Sequence, residues 1–465
     1  MSVAQWRADS KCITALAFPL ILTQLSQVAL STTDIAMMGM LEPIDLAAGG
    51  LAVSIFGFLR SMGVGLVTPT GNMVAAASVG TIRPSSRESE LRALLYSSFL
   101  MATIAGLFFW GLMLVAGTGL AWLGQNAGVA ARAADYLVFV APGIVPLLWF
   151  QTLRNFTIGL RRPGPLLLIT LLAVAVNAAL NFVLMFGYLG MPALGLIGIA
   201  CSTTTVNFFS FFLFLTIIRR DKEMAPYLSW RQWHPRRADV IRLWRAGLPV
   251  AATYGSEAGF FLVLLLLVGS ISADALAAHT IVNQAVYIVF MISVGISQAT
   301  SICISRSWAL KQVEQSASLA YTGLALGLVC MAVVGAIYLR WPHQVLSLFF
   351  SEGTDRMVLM SNALPLLMIA GMLQFFDCAQ NIGIGILRGA GETRSSFVIT
   401  LFGYWGIGFP IAWLLGKYFS FGASGIWVGL TLGLLMTAMQ LLHRFRRILK
   451  SKRIAVSRGD FDYAN

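Results

Sequence analysis

Charge is the scarcest thing in this sequence: only 11% of its 465 residues are Asp, Glu, Lys or Arg, where soluble domains carry about 25%. The AVILMFWYC set takes up 58% instead, against roughly 45–50% in soluble proteins. A soluble globule is excluded. Cysteine is sparse as well. Cys12, Cys201, Cys303, Cys330 and Cys378 stand far apart, with no CxxC pair and no histidine at ligand spacing, so neither a metal centre nor a disulfide framework is indicated. They read as small apolar packing residues. Catalytic strings are also missing. No GxSxG, HExxH or GxxxxGK(S/T) occurs, and no paired histidine and acid share a span, which argues against an enzyme and against ATP-driven pumping by this chain alone. No cofactor is expected. Intrinsic disorder, a secreted disulfide scaffold and a collagen-like rod fall to the same arithmetic.

What the sequence does have is long apolar runs, repeated along its whole length, each able to cross a bilayer as about 20 residues of helix. The fold class expected is an all-α polytopic membrane protein. Twelve spans fall near residues 13–40, 46–79, 92–118, 133–158, 165–188, 194–218, 246–270, 276–304, 318–340, 357–387, 394–416 and 423–443. The first is too long for a signal-peptide core and reads as retained. The polar, Arg-rich stretch 219–245, with Pro226, Trp230, Trp233 and Pro235, reads as a cytoplasmic linker between lobes at 1–218 and 246–450. Residues 451–465 read as a disordered tail.

Positive loops stay in the cytoplasm. The termini and the even-numbered loops hold 26 of the 32 Lys and Arg residues, so both termini are expected there. The absence of an organelle-targeting segment points to the bacterial inner membrane. The net charge of +13 is then a topology signal, and no nucleic-acid partner is implied. The lipid bilayer is the partner.

Setting the two halves against each other at an offset of 230 residues brings Pro19 onto Pro249, Leu46-Ala47-Ala48 onto Leu276-Ala277-Ala278, and Val64-Gly65 onto Val294-Gly295. Ile169-Thr170, Tyr188 and Gly195 likewise meet Ile399-Thr400, Tyr418 and Gly425. Six helices separate the copies, so both have the same orientation, which predicts two pseudo-symmetric six-helix lobes around a central cleft. That is a transporter architecture.

An ionisable group at bilayer depth costs at least about 2.5–3.5 kcal/mol, so the positions of the acids carry information. Of 19 acidic residues only Asp34, Glu257 and Asp377 lie well inside spans. Asp34 continues a stripe of Gln24, Gln27 and Ser31 on one helix face. Thr253 stands one turn before Glu257, and Gln374, Gln380 and Asn381 flank Asp377. Span 5 carries Asn177 and Asn181, while span 8 carries Thr280, Asn283, Gln284 and Tyr287. Unpaired amides and carboxylates are costly against lipid, so these stripes are expected to line the cleft or a pocket in each lobe. The amides serve equally well as interhelical hydrogen-bond glue, but glue does not require a charge. A buried carboxyl group without a fixed cation can exchange a proton, or hold a metal cation in the proton's place.

Arg60 lies mid-helix and either pairs with an acid such as Asp34 or reaches into a wet cleft, and the residues alone leave both open. Arg154 is expected to snorkel from the end of span 4. His279 and His343 read as ordinary polar residues. Among the 19 Met and 30 Phe, any that face the cleft would suit flat apolar cations.

Several segments resemble one known family. PLILTQLSQVALSTTDIAMMG from Pro19 to Gly39, Leu46-Ala47-Ala48, NAALNFVLMFGYLGMPALGLIG from Asn177 to Gly198, LPVAATYGSE from Leu248 to Glu257 and, most specific, FDCAQNIGIGILRGAGETR from Phe376 to Arg394 are similar to the multidrug and toxic compound extrusion (MATE) transporters, in particular their NorM-like branch. The resemblance implies two six-helix bundles, proton coupling and drug release at Asp34, a cation site at Glu257 and Asp377, and amide contacts at Asn177 and Asn181. It implies a secondary active antiporter that exports cationic or amphipathic organic compounds while Na+ or H+ moves inward, and a monomer is expected. The sequence departs at Leu373, where NorM-like proteins tend to have tyrosine. One oxygen near a sodium ion is thereby missing. A lipid-linked precursor flippase of the same superfamily is the alternative, and it calls for a basic cleft where these stripes are acidic or neutral.

Overall fold

A computed structural model describes residues 3–79, 84–120, 126–228, 234–349 and 356–458. Among them there is no strand, and twelve helices are long and apolar enough to cross a membrane. These are α1 (Val3–Met38), α2 (Pro43–Ala77), α3 (Ser86–Gly119), α4 (Ala127–Gly159), α5 (Leu166–Phe186), α6 (Leu196–Arg220), α7 (Arg237–Gly269), α8 (Ala273–Ala309), α9 (Val313–Arg340), α10 (Met357–Gly389), α11 (Thr393–Tyr418) and α12 (Gly422–Ile454). The expected fold class holds.

The helices overrun the apolar windows at several ends. α1 starts at Val3 and α7 at Arg237, well before the expected 13 and 246, because a helix continues into polar residues once its backbone bonds are propagating. The described residues of the Arg219–Arg245 stretch therefore include helix at both ends. α6 ends at Arg220, a single 3-10 turn covers Ala225–Leu228, and the backbone N–H of Arg236 donates to Ser97 Oγ of α3 at 3.1 Å. Trp230, Trp233 and Arg83 lie outside the described residues. At the other end the last helix runs on to Arg458, into the stretch expected as a tail, and 459–465 lie outside the described residues.

Irregularities fall at proline and glycine. α2 breaks at Thr68 before Pro69, α4 tightens to a 3-10 turn over Ala141–Gly143 around Pro142, and Pro19, Pro249 and Pro365 sit inside α1, α7 and α10. α11 widens into π turns over Phe402–Gly408 and Leu414–Tyr418, a distortion common at functional positions. It carries Tyr404 into the interior, with 0% of its surface exposed.

The chain forms two compact units, Leu22–Gly255 and Met1–Ile21 with Ser256–Asn465. α1 and α7 each change unit part-way along. In the first unit, Gly65 of α2 has the backbone of Ala251 of α7 2.9 Å from where a Cβ would stand; in the second, Gly295 of α8 has the backbone of Ile21 of α1 3.0 Å away. Gly159 likewise meets Gly71 and Val74, while Gly389 meets Ser301 and Ile304. Every corresponding pair is 230 residues apart. The sequence repeat is thus a repeat of helix contacts, and at these crossings the backbones come so close that only glycine fits. The core of the second unit is built around Phe260, Tyr338, Leu366, Leu367, Trp427 and Leu434.

Candidate functional site

Each unit holds one of the expected acid sites. In Leu22–Gly255, the last turns of α1 bring Asp34 against α5 and α6. Asn181 Nδ2 donates to Asp34 Oδ1 at 2.6 Å, and Thr203 Oγ1 donates to Asp34 Oδ2 at 3.2 Å. Asn177, one turn from Asn181 on the same face of α5, accepts from the Asn181 amide at 3.4 Å. Tyr136 of α4, fully buried, interacts with Thr203. Arg60 of α2 acts on Asp34 through space, but among the described residues Asp34 makes no ion pair. The carboxylate is bound by neutral donors and has no fixed counter-charge. Asn177 Nδ2 and Asn181 Oδ1 stay buried without a partner, which leaves a donor and an acceptor around the acid.

The second site is built from α7, α10 and α11. Asp377 is buried and Glu257 half-buried, and the two interact electrostatically; like charges in a largely apolar surrounding call for a proton or a cation. Tyr404 Oη lies 3.4 Å from Glu257 Oε1 and 3.1 Å from Gln380 Oε1. Gln374 Nε2 donates to Tyr338 Oη of α9 at 3.2 Å. Asp377 Oδ1, Gln374 Oε1 and Gln380 Nε2 are buried without a hydrogen-bond partner. Two of those three atoms are hard oxygen donors one helical turn apart, a donor set that fits a proton or a small hard cation.

The remaining expected residues divide. Gln24 is taken by Arg154, whose Nη2 donates to its Oε1 at 3.2 Å. Ser31 Oγ is turned back to the Val28 carbonyl, and Thr253 Oγ1 to the Pro249 carbonyl. Among the described residues no hydrogen bond involves the side chains of Gln27, Asn283, Gln284 or Tyr287, and Asn381 contributes its backbone carbonyl to Ser297. The snorkelling expectation for Arg154 is overturned. It is 2% exposed and bonded to Gln151 and Gln24, because the Ala141–Gly143 turn seats the second half of α4 inside its unit. His279 is buried as well, accepting from Trp427 Nε1 at 3.1 Å.

Three contributors were not visible in the sequence. Thr203 and Tyr136 are polar tips of residues common in apolar helices, and only the hydrogen bond of Thr203 to Asp34 and the interaction of Tyr136 with Thr203 single them out. Tyr404 supplies a phenolic oxygen beside Glu257, in the neighbourhood where Leu373 withholds one. Asp9, outside the apolar window of the first span, is 2% exposed and accepts from Gln315 Nε2 at 2.6 Å, Gln5 Nε2 at 3.3 Å and Ser318 Oγ. Both of its oxygens are satisfied, which marks it as a clamp between α1 and α9 rather than a cation site.

Comparison with known proteins bears on the same residues. The MatE family profile matches twice, over residues 19–183 and 249–414, and the matches begin 230 residues apart, the interval of the repeat. The chain is 33% identical over 449 residues to the probable multidrug resistance protein NorM of Mesorhizobium japonicum, covering 95% of this chain and 94% of that one. It is 35% identical over 442 residues to the probable multidrug resistance protein NorM of Pseudomonas aeruginosa, covering 94% and 89%. Among solved structures, the eukaryotic MATE transporter AtDTX14 superposes with a TM-score of 0.84 at 20% identity over 97% of this chain and 100% of that one. An outward-facing multidrug resistance MATE family transporter of the MOP superfamily reaches 0.86 at 18% identity over 96% of each.

Proposed function

Because the chain belongs to the MatE family, we propose that it is a secondary active antiporter that exports cationic or amphipathic organic compounds in exchange for inward Na+ or H+. It works by alternating access, as a multi-pass monomer of the bacterial inner membrane with both termini in the cytoplasm. The observation that carries this reading is the Glu257–Asp377 pair, a buried Asp377 with an unsatisfied Oδ1 and a half-buried Glu257 whose hydrogen-bond partner is the neutral Tyr404. A structural clamp such as Asp9 has its oxygens filled by donors; this pair leaves one open.

The coupling cation is cargo. When it enters, Asp377 Oδ1, Glu257 and Gln374 Oε1 meet it, and Tyr404 holds Glu257 in place. Neutralising the pair removes the negative field that a cationic drug is drawn to, so the drug binds less tightly and leaves. Exchange of this kind needs only a difference in affinity between the loaded and unloaded states, and the coupling is reciprocal. Asp34, held by Asn181 and Thr203, provides the second acid in the other unit. The acidic and neutral character of both sites favours a cationic passenger over the anionic headgroup a precursor flippase would carry.

The test is efflux of a lipophilic fluorescent cation from proteoliposomes under an imposed Na+ gradient and then under an imposed proton gradient. One gradient is expected to drive efflux against the concentration of the dye, and failure of both refutes the antiporter reading.

A further inference from the structure

Two thiols separated by 291 residues meet inside one unit. Sγ of Cys12 on α1 and Sγ of Cys303 on α8 are 2.8 Å apart, between the ~2.05 Å of a disulfide bond and an ordinary non-bonded contact. We propose that Cys12 and Cys303 form an oxidation site, at which hydrogen peroxide joins them in an intrachain disulfide that pins the first half of α1 to α8. Nothing in the transport reading uses either residue, and the inference stands or falls apart from it.

The geometry separates the roles. Cys12 is partly exposed, whereas Cys303 is 1% exposed, so the peroxide meets Cys12 first. Its sulfur attacks one peroxide oxygen, the O–O bond breaks, and one water leaves as Cys12 becomes a sulfenic acid. The Cys303 sulfur, already in contact, then attacks the Cys12 sulfur. The S–O bond breaks, the S–S bond forms, and a second water carries away the hydroxyl and the remaining thiol proton. Two thiols are oxidised and one hydrogen peroxide is reduced. In a reducing cytosol the pair rests as thiols and closes only when peroxide accumulates.

What the bond would fix is specific to α1. Residues 1–21 belong to the same unit as α8, whereas the following half of the helix, with Asp34, belongs to the other. The first half is held to its own unit by reversible contacts that include the Asp9 clamp to Gln315 and Ser318 and the close approach of Ile21 to Gly295. The residue between those anchors that can be joined covalently is Cys12. A disulfide there converts a separable helix contact into a permanent one.

The test uses the purified full-length protein in detergent, treated with hydrogen peroxide, alkylated, digested and mapped by mass spectrometry. The expected result is loss of two alkylatable thiols and a cross-linked peptide pair containing Cys12 and Cys303, reversed by dithiothreitol, with Cys201, Cys330 and Cys378 still alkylated. The Cys12→Ser variant should lose the cross-link, and a variant carrying Ser at positions 201, 330 and 378 should keep it. Cys12 and Cys303 both remaining alkylatable after peroxide, or Cys12 accumulating as sulfinic acid with Cys303 reduced, would overturn the proposal, and either is read on the wild-type protein alone.

Discussion

The two units are built on one set of helix contacts and differ in the acid site each carries. Around Asp34 a single carboxylate receives two hydrogen bonds, from Asn181 and Thr203. In the other unit Glu257 meets Tyr404 Oη and interacts electrostatically with Asp377, whose Oδ1 is unsatisfied. The repeat therefore preserves the scaffold and lets the chemistry diverge. The lone acid has donors on both oxygens, whereas the two-acid site leaves one oxygen open.

Substitutions can break that comparison. Asp377→Asn removes half of the two-acid pair, and we expect gradient-driven efflux to fall more than about tenfold, at least 1.4 kcal/mol in the coupled step, with purified yield and melting temperature unchanged; transport in proteoliposomes reads it. Asp34→Asn keeps an acceptor oxygen for Asn181 or Thr203 and should cost less, about three- to tenfold in the same assay. Equal losses in the two variants would mean the sites are equivalent, contrary to their geometry.

Scaffold substitutions should behave in the opposite way, alike in both units. A Cβ at Gly159 would stand 2.6 Å from the Gly71 carbonyl oxygen and one at Gly389 2.7 Å from that of Ser301, so Gly159→Ala and Gly389→Ala should each destabilise by about 1–3 kcal/mol. Gly50→Ala, with nothing within 4 Å, should not. Thermal unfolding in detergent compares them. The smallest effect expected is for Tyr404→Phe, which removes one hydrogen bond to Glu257 worth about 0.5–1.5 kcal/mol. Cation affinity, measured by isotope binding, should weaken about two- to tenfold with the protein still folded.

The span count and the repeat were legible because a bilayer-length apolar run and a constant offset are strong periodic signals. Asp34, Glu257 and Asp377 stood out for the same reason, as charges where charge is costly. The helix ends were not legible, since helices α1 and α7 run on through polar residues that no hydropathy window includes. Asp9 was lost with them. Tyr404, Tyr136 and Thr203 were hidden among many similar residues in apolar helices, and the π turns of α11 that bring Tyr404 inward follow from local glycine-rich backbone with no periodic signature. Arg154 was misplaced because snorkelling assumes an exposed helix end, whereas the bend at Ala141–Gly143 buries it. The Cys12–Cys303 contact joins residues whose separation in sequence says nothing about their distance.

In the proposed cycle the Glu257–Asp377 pair holds the cation that moves inward as the drug moves out. The most direct test is to count that cation in sealed vesicles, following isotopic sodium and a pH dye together while a lipophilic cation is exported, for the wild-type protein and for Asp377→Asn. The wild type should take in one of the two ions in proportion to the drug exported, and the variant should take in neither while remaining folded. Ion uptake by Asp377→Asn at the wild-type rate would contradict the account.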